Sequence, residues 1–168
     1  MRIKEVQTQR EIEEVRNLFL EYEAFLNADL CFQGFEEELA SLPSKYVRPT
    51  GALLIALDGE KAIGCVALRK LGESVCEMKR LYVKPEARRT GLGRRLAQEI
   101  ILVARELGYT LMRLDTLNRL THAMHLYETL GFRETNPYYA NPLPDVVYWE
   151  FELKKEVADQ QDAAKPRR

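Results

Sequence analysis

Three cysteines in 168 residues, at positions 31, 65 and 76, are odd in number and widely spaced. They fit neither a disulfide framework nor a zinc-finger spacing, so Cys31, Cys65 and Cys76 are expected to be buried free thiols in a reducing compartment. No run approaches the ~20 consecutive apolar residues that a membrane-crossing helix needs. The opening stretch, MRIKEVQTQREIEEV, has no continuous apolar core; no secretory signal is expected, and the cytoplasm is the expected location. Charge of one sign is also missing: 25 basic and 26 acidic residues leave a net charge of -1. Without a basic field or a stacking pattern of aromatics, nucleic acid is not an expected partner. Internal repeats and Gly/Pro/Ser-rich linkers are lacking too. A single domain is therefore expected over residues 1–153, with a polar, disordered tail over 154–168.

What is present is ordinary for a globular protein: 46% hydrophobic and 30% charged residues, enough to build a core. Residues 2–6 alternate as a short strand. Ile12, Val15, Leu18, Phe19, Tyr22, Phe25 and Leu26 recur at a helical period, and FEEEL at 35–39 predicts a second, short helix closed off by Pro43. GALLIALDGEKAIGCVALRKL reads as two strands joined at Asp58-Gly59. SVCEMKRLYV is a further strand, and LGRRLAQEIILVARELG an amphipathic helix stopped at Gly108. YTLMRLDT predicts a strand, LTHAMHLYETLG a helix ending at Gly131, and VVYWEFEL a last strand. This order implies an α/β or α+β domain, mostly antiparallel at the front, with at least one strand–helix–strand crossover.

The stretch RRTGLGRRL, residues 88–96, sits where a strand gives way to a helix. The first turn of a helix offers unpaired N–H groups and partial positive charge. Glycines allow an anion to come close to the backbone, and Arg88, Arg89, Arg94 and Arg95 add charge. The stretch reads as a phosphate seat; taken on glycine spacing alone, it also fits a plain loop-to-helix junction with solvated arginines. It is not a P-loop, since no G-x-x-x-x-G-K-[ST] string is present. Nor is it a dinucleotide fingerprint, since Leu96 stands where the third glycine belongs.

Arg88, Gly91 and Gly93 spell R-x-x-G-x-G directly after KRLYV, and LYETLGF follows downstream. In these features and in strand order, roughly residues 2 to 153 resemble the GNAT superfamily of acyl-CoA-dependent N-acetyltransferases. The resemblance implies a twisted, mostly antiparallel mixed sheet of about six to seven strands flanked by about four helices. It also implies acetyl-CoA as co-substrate, with the pyrophosphate on the glycine turn and the pantetheine arm beside a bulged, splayed strand. Carried over residue by residue, that seat comprises Leu81, Tyr82, Val83, Arg88, Arg89, Thr90, Gly91, Leu92, Gly93 and Arg94. Members of the family often place an asparagine where this chain has Leu120, with Asn118 two positions earlier; the usual side-chain contact to pantetheine is thereby put in question.

Acetylation of an amine needs a base for the amine proton and an acid for the departing thiolate. Glu77, eleven residues before Arg88, stands at the spacing where some histone-type members carry a general-base glutamate. The alternative is a strand glutamate paired with Lys79 or Arg80. Tyr127, in LYETLGF, matches the tyrosine that many members place near the CoA sulfur; the alternative is a half-buried aromatic packed with Ala123, Met124 and Leu130. His122 and His125 lack a third ligand, so no metal is expected. Cys76 lacks the partners of a nucleophile.

In this family the acceptor enters over the segment joining the first helices and near the last strands. Here those are NADLCFQGFEEEL and ETNPYYANPLPDVVYW, which offer Phe32, Gln33, Phe35, Tyr138, Tyr139 and Asn141. Aromatics and amides suit a small polar amine, and Glu36 to Glu38 would attract a cation; plain surface charge and loop packing is the alternative. The leading expectation is direct acetyl transfer from acetyl-CoA to a primary amine of a small molecule. A non-catalytic acyl-CoA-binding regulatory module and a protein or peptide acetyltransferase remain as alternatives, with a homodimer left open.

Overall fold

The apolar residues between Ala52 and Leu68, broken at Asp58-Gly59-Glu60-Lys61, form the expected hairpin in a computed structural model that describes residues 1–154. The turn is Gly59-Glu60, one residue later than expected, and Asp58 pairs with Lys61. The expected tail over 154–168 lies, apart from Lys154, outside the described residues.

In chain order the elements are β1 (Arg2–Glu5), α1 (Gln9–Leu26), α2 (Phe35–Ser41), β2 (Ala52–Asp58) and β3 (Lys61–Lys70). They continue as β4 (Val75–Val83), α3 (Leu92–Glu106), β5 (Leu111–Leu117), α4 (Thr121–Leu130), β6 (Arg133–Thr135) and β7 (Val146–Glu152). Short 3-10 turns stand at Cys31–Gln33 and Pro85–Ala87. The strands form one seven-stranded sheet, ordered β1-β2-β3-β4-β5-β7-β6. Only β4 and β5 run parallel, joined through α3; every other neighbour is antiparallel. This is the expected class, with seven strands and four α-helices. Strand β6 escaped the sequence reading because it is three residues long and carries no apolar pattern.

Helices cover both faces of the sheet, so β2 and β3 read as continuous apolar runs rather than alternating ones. Leu54, Ala56, Val66 and Leu68 point into a core shared with Leu92, Leu96, Ile100 and Ala104 of α3. Their neighbours Leu53, Ile55, Leu57, Cys65 and Ala67 point the other way, onto Val15, Leu18, Phe19 and Leu26 of α1. The start of α1 is fixed by a reciprocal cap. Thr8 Oγ1 accepts from the Glu11 amide at 3.2 Å, and Glu11 Oε2 accepts from the Thr8 amide at 3.1 Å. Cys65 and Cys76 are buried as expected, but Cys31 is exposed: it opens a 3-10 turn at the surface rather than facing a core.

Two irregularities in β4 shape the centre of the molecule. Pairing with β5 is confined to Val75, Cys76 and Glu77 against Leu111, Met112 and Arg113, after which the two strands part. On its other edge, β4 pairs Tyr82 with Cys65 and Lys79 with Ala67, so it fits three steps against two of β3. The extra residue makes a bulge, with Arg80 at φ +58, a left-handed conformation costing a non-glycine residue about 1 kcal/mol or more. Cys65 Sγ donates to the Arg80 carbonyl across the bulge at 3.4 Å.

Candidate active site

The parting of β4 from β5 opens a cavity of about 700 Å³ between them. Its wall runs from Arg88, Arg89, Gly91, Leu92, Gly93 and Arg94 at one end, along Met78 to Val83, to Gln33 and Asp115 at the other. Since β5 no longer pairs with β4 past Glu77, the backbone of residues 78–83 presents an edge without a ladder partner to this space.

At the outer end, Gly91 caps α3 in a left-handed conformation, φ +82, and no side chain caps the helix. The first amides of this 15-residue helix therefore face the cavity end with the positive pole of its dipole. Gly93 differs from Gly91: a Cβ there would meet only Leu126 and Val83 carbons at 3.8 and 3.9 Å, ordinary contact distances. The protein itself does not require glycine at 93. Arg88 Nε donates to the Val83 carbonyl at 3.0 Å, and its guanidinium lies 4.5 Å from the Phe25 ring centroid. Thr90 Oγ1 donates to the Ala87 carbonyl at 2.7 Å, and Arg94 donates to Thr129. Nine of the ten residues carried over as the CoA seat line the cavity; Thr90 lies in the same turn but not on the wall.

Tyr127 also borders the cavity and is 7% exposed, packed against Phe132 at 5.6 Å between ring centroids. Burial raises its titration well above the ordinary phenol range, so it stays a neutral O–H donor at physiological pH. Leu120, in the place of the family's asparagine, lines the cavity; Asn118 does not line it, and its backbone N–H donates to the Asp145 carbonyl at 2.7 Å.

At the inner end the two expected acceptor segments meet. Gln33 Nε2 donates to the Tyr139 hydroxyl at 3.0 Å across 106 residues of sequence. Tyr139 in turn donates to Asp115 Oδ2, and Asn141 Nδ2 donates to both Tyr139 (2.9 Å) and Asp115 (3.2 Å). Gln33 lines the cavity directly, and Asn141 stands behind Asp115. Phe35 is buried beneath Arg80, whose guanidinium lies 5.2 Å from its ring, and Phe32 is exposed at the surface; neither forms part of the cavity wall.

Glu77 is fully buried and does not reach the cavity wall. It accepts from Arg69 Nε at 2.7 Å and from the Tyr138 hydroxyl at 2.6 Å, with Lys79 Nζ at 3.5 Å. Burial pushes its titration up, but Lys79, Arg69 and Tyr138 together outweigh that and hold it below the ordinary carboxylate value. Its pairing with Lys79 was foreseen, the one with Arg69 was not. Tyr138 thus bonds Glu77 rather than facing the cavity.

The carboxylate on the cavity wall is Asp115, which the sequence reading passed over as an ordinary strand residue. A signal was available: it lies near the carboxyl end of the strand that follows the crossover, where open α/β sheets place their ligands. Lys79 and Arg80 also line the cavity, with side chains 7% and 3% exposed. Arg80 is locked by Glu38 Oε2 at 3.0 Å and Gln33 Oε1 at 2.9 Å. Burial, reinforced by the Arg80 charge, holds Lys79 below the usual lysine range against the opposing pull of Glu77 and Asp115.

This architecture has clear relatives. The model of the acetyltransferase (GNAT) family matches residues 12–132. The chain is 44% identical over 155 residues to the uncharacterized N-acetyltransferase C1271.07c of Schizosaccharomyces pombe, covering 91% of this chain and 95% of the relative. In fold it is similar to an acetyltransferase of the GNAT family from Staphylococcus aureus (TM-score 0.76, 20% identity, 91% and 99% of the two chains). It is also similar to yncA of Salmonella typhimurium, solved with its cofactor acetyl-CoA (TM-score 0.71, 17% identity, 96% and 98% of the two chains). A splayed seven-stranded sheet, a glycine turn opening a helix at its mouth and a family match over most of the chain agree: the protein belongs to the GNAT acetyltransferase family and is an acyltransferase of the N-acetyltransferase type.

Proposed function

We propose that the chain moves the acetyl group of acetyl-CoA directly onto a primary amine of a small molecule, in the cytoplasm. The observation that carries this reading is the continuous cavity joining the Gly91–Gly93 helix start to the Gln33–Tyr139–Asp115 network through the splay. Acetyl-CoA fits the outer part in chemistry: the uncapped amides of α3 suit a pyrophosphate, and the unladdered β4 edge suits the amides of a pantetheine arm. Arg88, Arg89, Leu92 and Arg94 border the phosphate end, with Thr90 beside them in the same turn, and Leu81, Tyr82 and Val83 border the arm.

In the reaction the free amine forms a bond to the acetyl carbon, the carbon–sulfur bond breaks, one amine proton is removed and the thiolate acquires a proton. In this reading Asp115, the carboxylate on the cavity wall, takes the amine proton, with Tyr139 and Asn141 fixing its orientation. Tyr127, held neutral by burial, supplies the proton to the sulfur. Glu77 serves as a positioning residue: it holds Lys79, Arg69 and Tyr138 in place behind the wall. The inner end, where Gln33, Lys79, Arg80 and Asp115 line the wall, supports a small polar acceptor over a peptide. No group of three or more metal-binding side chains occurs among the described residues, and none of these steps calls for a metal.

The test is release of free thiol from acetyl-CoA over amino acids, polyamines, aminoglycosides and short peptides. The reading predicts amine-dependent release with at least one small amine. Release with peptides alone would move the acceptor class, and tight CoA binding without release for any amine would leave a non-catalytic module. Light scattering on the same preparation decides whether the active species is a homodimer.

A further inference from the structure

Among the described residues, the inner end of the cavity holds two charges that are incompletely matched: Lys79 reaches Glu77 only at 3.5 Å, and Asp115 has no ion-pair partner. Arg69 and Glu77 form one tight pair, Arg80 and Glu38 another, at 2.7 and 3.0 Å. Lys79 and Asp115 are what remains. The Lys79 ammonium has three donors, yet its nearest acceptors, Glu77 Oε1 and Gln33 Oε1, both stand at 3.5 Å. That is well beyond the roughly 2.8 Å of a charge-assisted bond. Each of these acceptors is more closely engaged elsewhere, Glu77 Oε1 by Arg69 at 2.7 Å and Gln33 Oε1 by Arg80 at 2.9 Å. A buried ammonium so poorly satisfied is costly unless a further anion completes it. Asp115, for its part, is held among the described residues only by the neutral donors Tyr139 and Asn141.

The strand register explains why the two charges flank one opening. Glu77 and Arg113 are the last partners of the parallel ladder. Two residues further along each strand come Lys79 and Asp115, on the same faces, where the strands have already begun to part. Both line the cavity.

We propose that the acceptor is an amine bearing a carboxylate, of the amino-acid type, whose carboxylate takes the open donors of Lys79 while its amine faces Asp115. The proposal rests on the acetyl-transfer reading and names its substrate class. The same arrangement acts against acceptors lacking an acid group. A polyamine or aminoglycoside would bring further cations beside Lys79 and Arg80 with no anion to offset them.

The test compares kcat/KM for thiol release from acetyl-CoA across a panel of amino acids, each with its carboxamide and its decarboxylated amine, and with polyamines. The expected result is at least one free acid used about tenfold or more better than its amide. Lys79→Gln is expected to abolish that preference, bringing kcat/KM for the acid down to the level of its amide in the same variant. Amides, decarboxylated amines or polyamines used as well as the acids by the wild-type protein would overturn the proposal and leave acetyl transfer standing. Release with none of them, while acetyl-CoA still binds, would overturn the acetyl-transfer reading and the proposal with it. The wild-type comparison decides the matter even if Lys79→Gln fails to fold.

Discussion

Glu77 illustrates how a residue type can be right and its setting unforeseen. Its place in β4 is visible in the sequence; that Arg69, Lys79 and Tyr138 enclose its carboxylate is not, because Tyr138 arrives from 61 residues away. Replacing it by glutamine leaves Arg69 and Lys79 without their carboxylate, and we expect a loss of about 3 kcal/mol of stability, read by denaturant unfolding at neutral pH. The pH dependence has a definite sign. Unfolded, the group titrates near 4.5; folded, it titrates lower. The ionised form therefore stabilises the fold above that unfolded value, and the gap between wild type and Glu77→Gln should shrink only as pH falls below about 4.5. Tyr127→Phe tests a different function: removing the proton donor should lower kcat about tenfold or more with little change in KM for acetyl-CoA. A fall in stability with kcat unchanged would make Tyr127 a packing residue only.

At the level of elements, the amphipathic helices, the hairpin and the crossover strand were legible because their apolar periods and turn residues are local. The bulge was not. KRLYV reads as an ordinary strand, and nothing in those letters announces that Arg80 takes a left-handed conformation or that β5 leaves β4 after Glu77. Such breaks arise from tertiary contacts, here the Arg80–Glu38 pair and the Cys65 thiol. The glycine turn permits a clean separation of folding from binding. Gly91→Ala must place a side chain at φ +82 and should cost about 1 kcal/mol or more in stability. Gly93→Ala meets only ordinary contacts, so thermal unfolding should be nearly unchanged while KM for acetyl-CoA rises, since the added methyl occupies the ground of the ligand. Equal KM in Gly93→Ala and wild type would remove the turn from the phosphate seat. The cap of α1 is a purely structural control: Thr8→Ala should cost about 1 kcal/mol and leave acetyl transfer untouched.

For the molecule as a whole, sheet and function follow from one compromise. Seven strands share two cores, yet the centre of the sheet, where pairing would be most protected, is left open between β4 and β5. The open seam is lined at one end by the start of α3 and at the other by buried charges from distant segments, so the proposed donor and acceptor sites share one passage. The single measurement that bears most directly on this is a single-turnover reaction with acetyl-CoA labelled in its acetyl group and an amine found active in the thiol-release screen. Direct transfer in the seam predicts that the label passes to the amine as fast as thiol appears, with none retained on the protein. Label held covalently by the protein, or recovered only as free acetate, would contradict it.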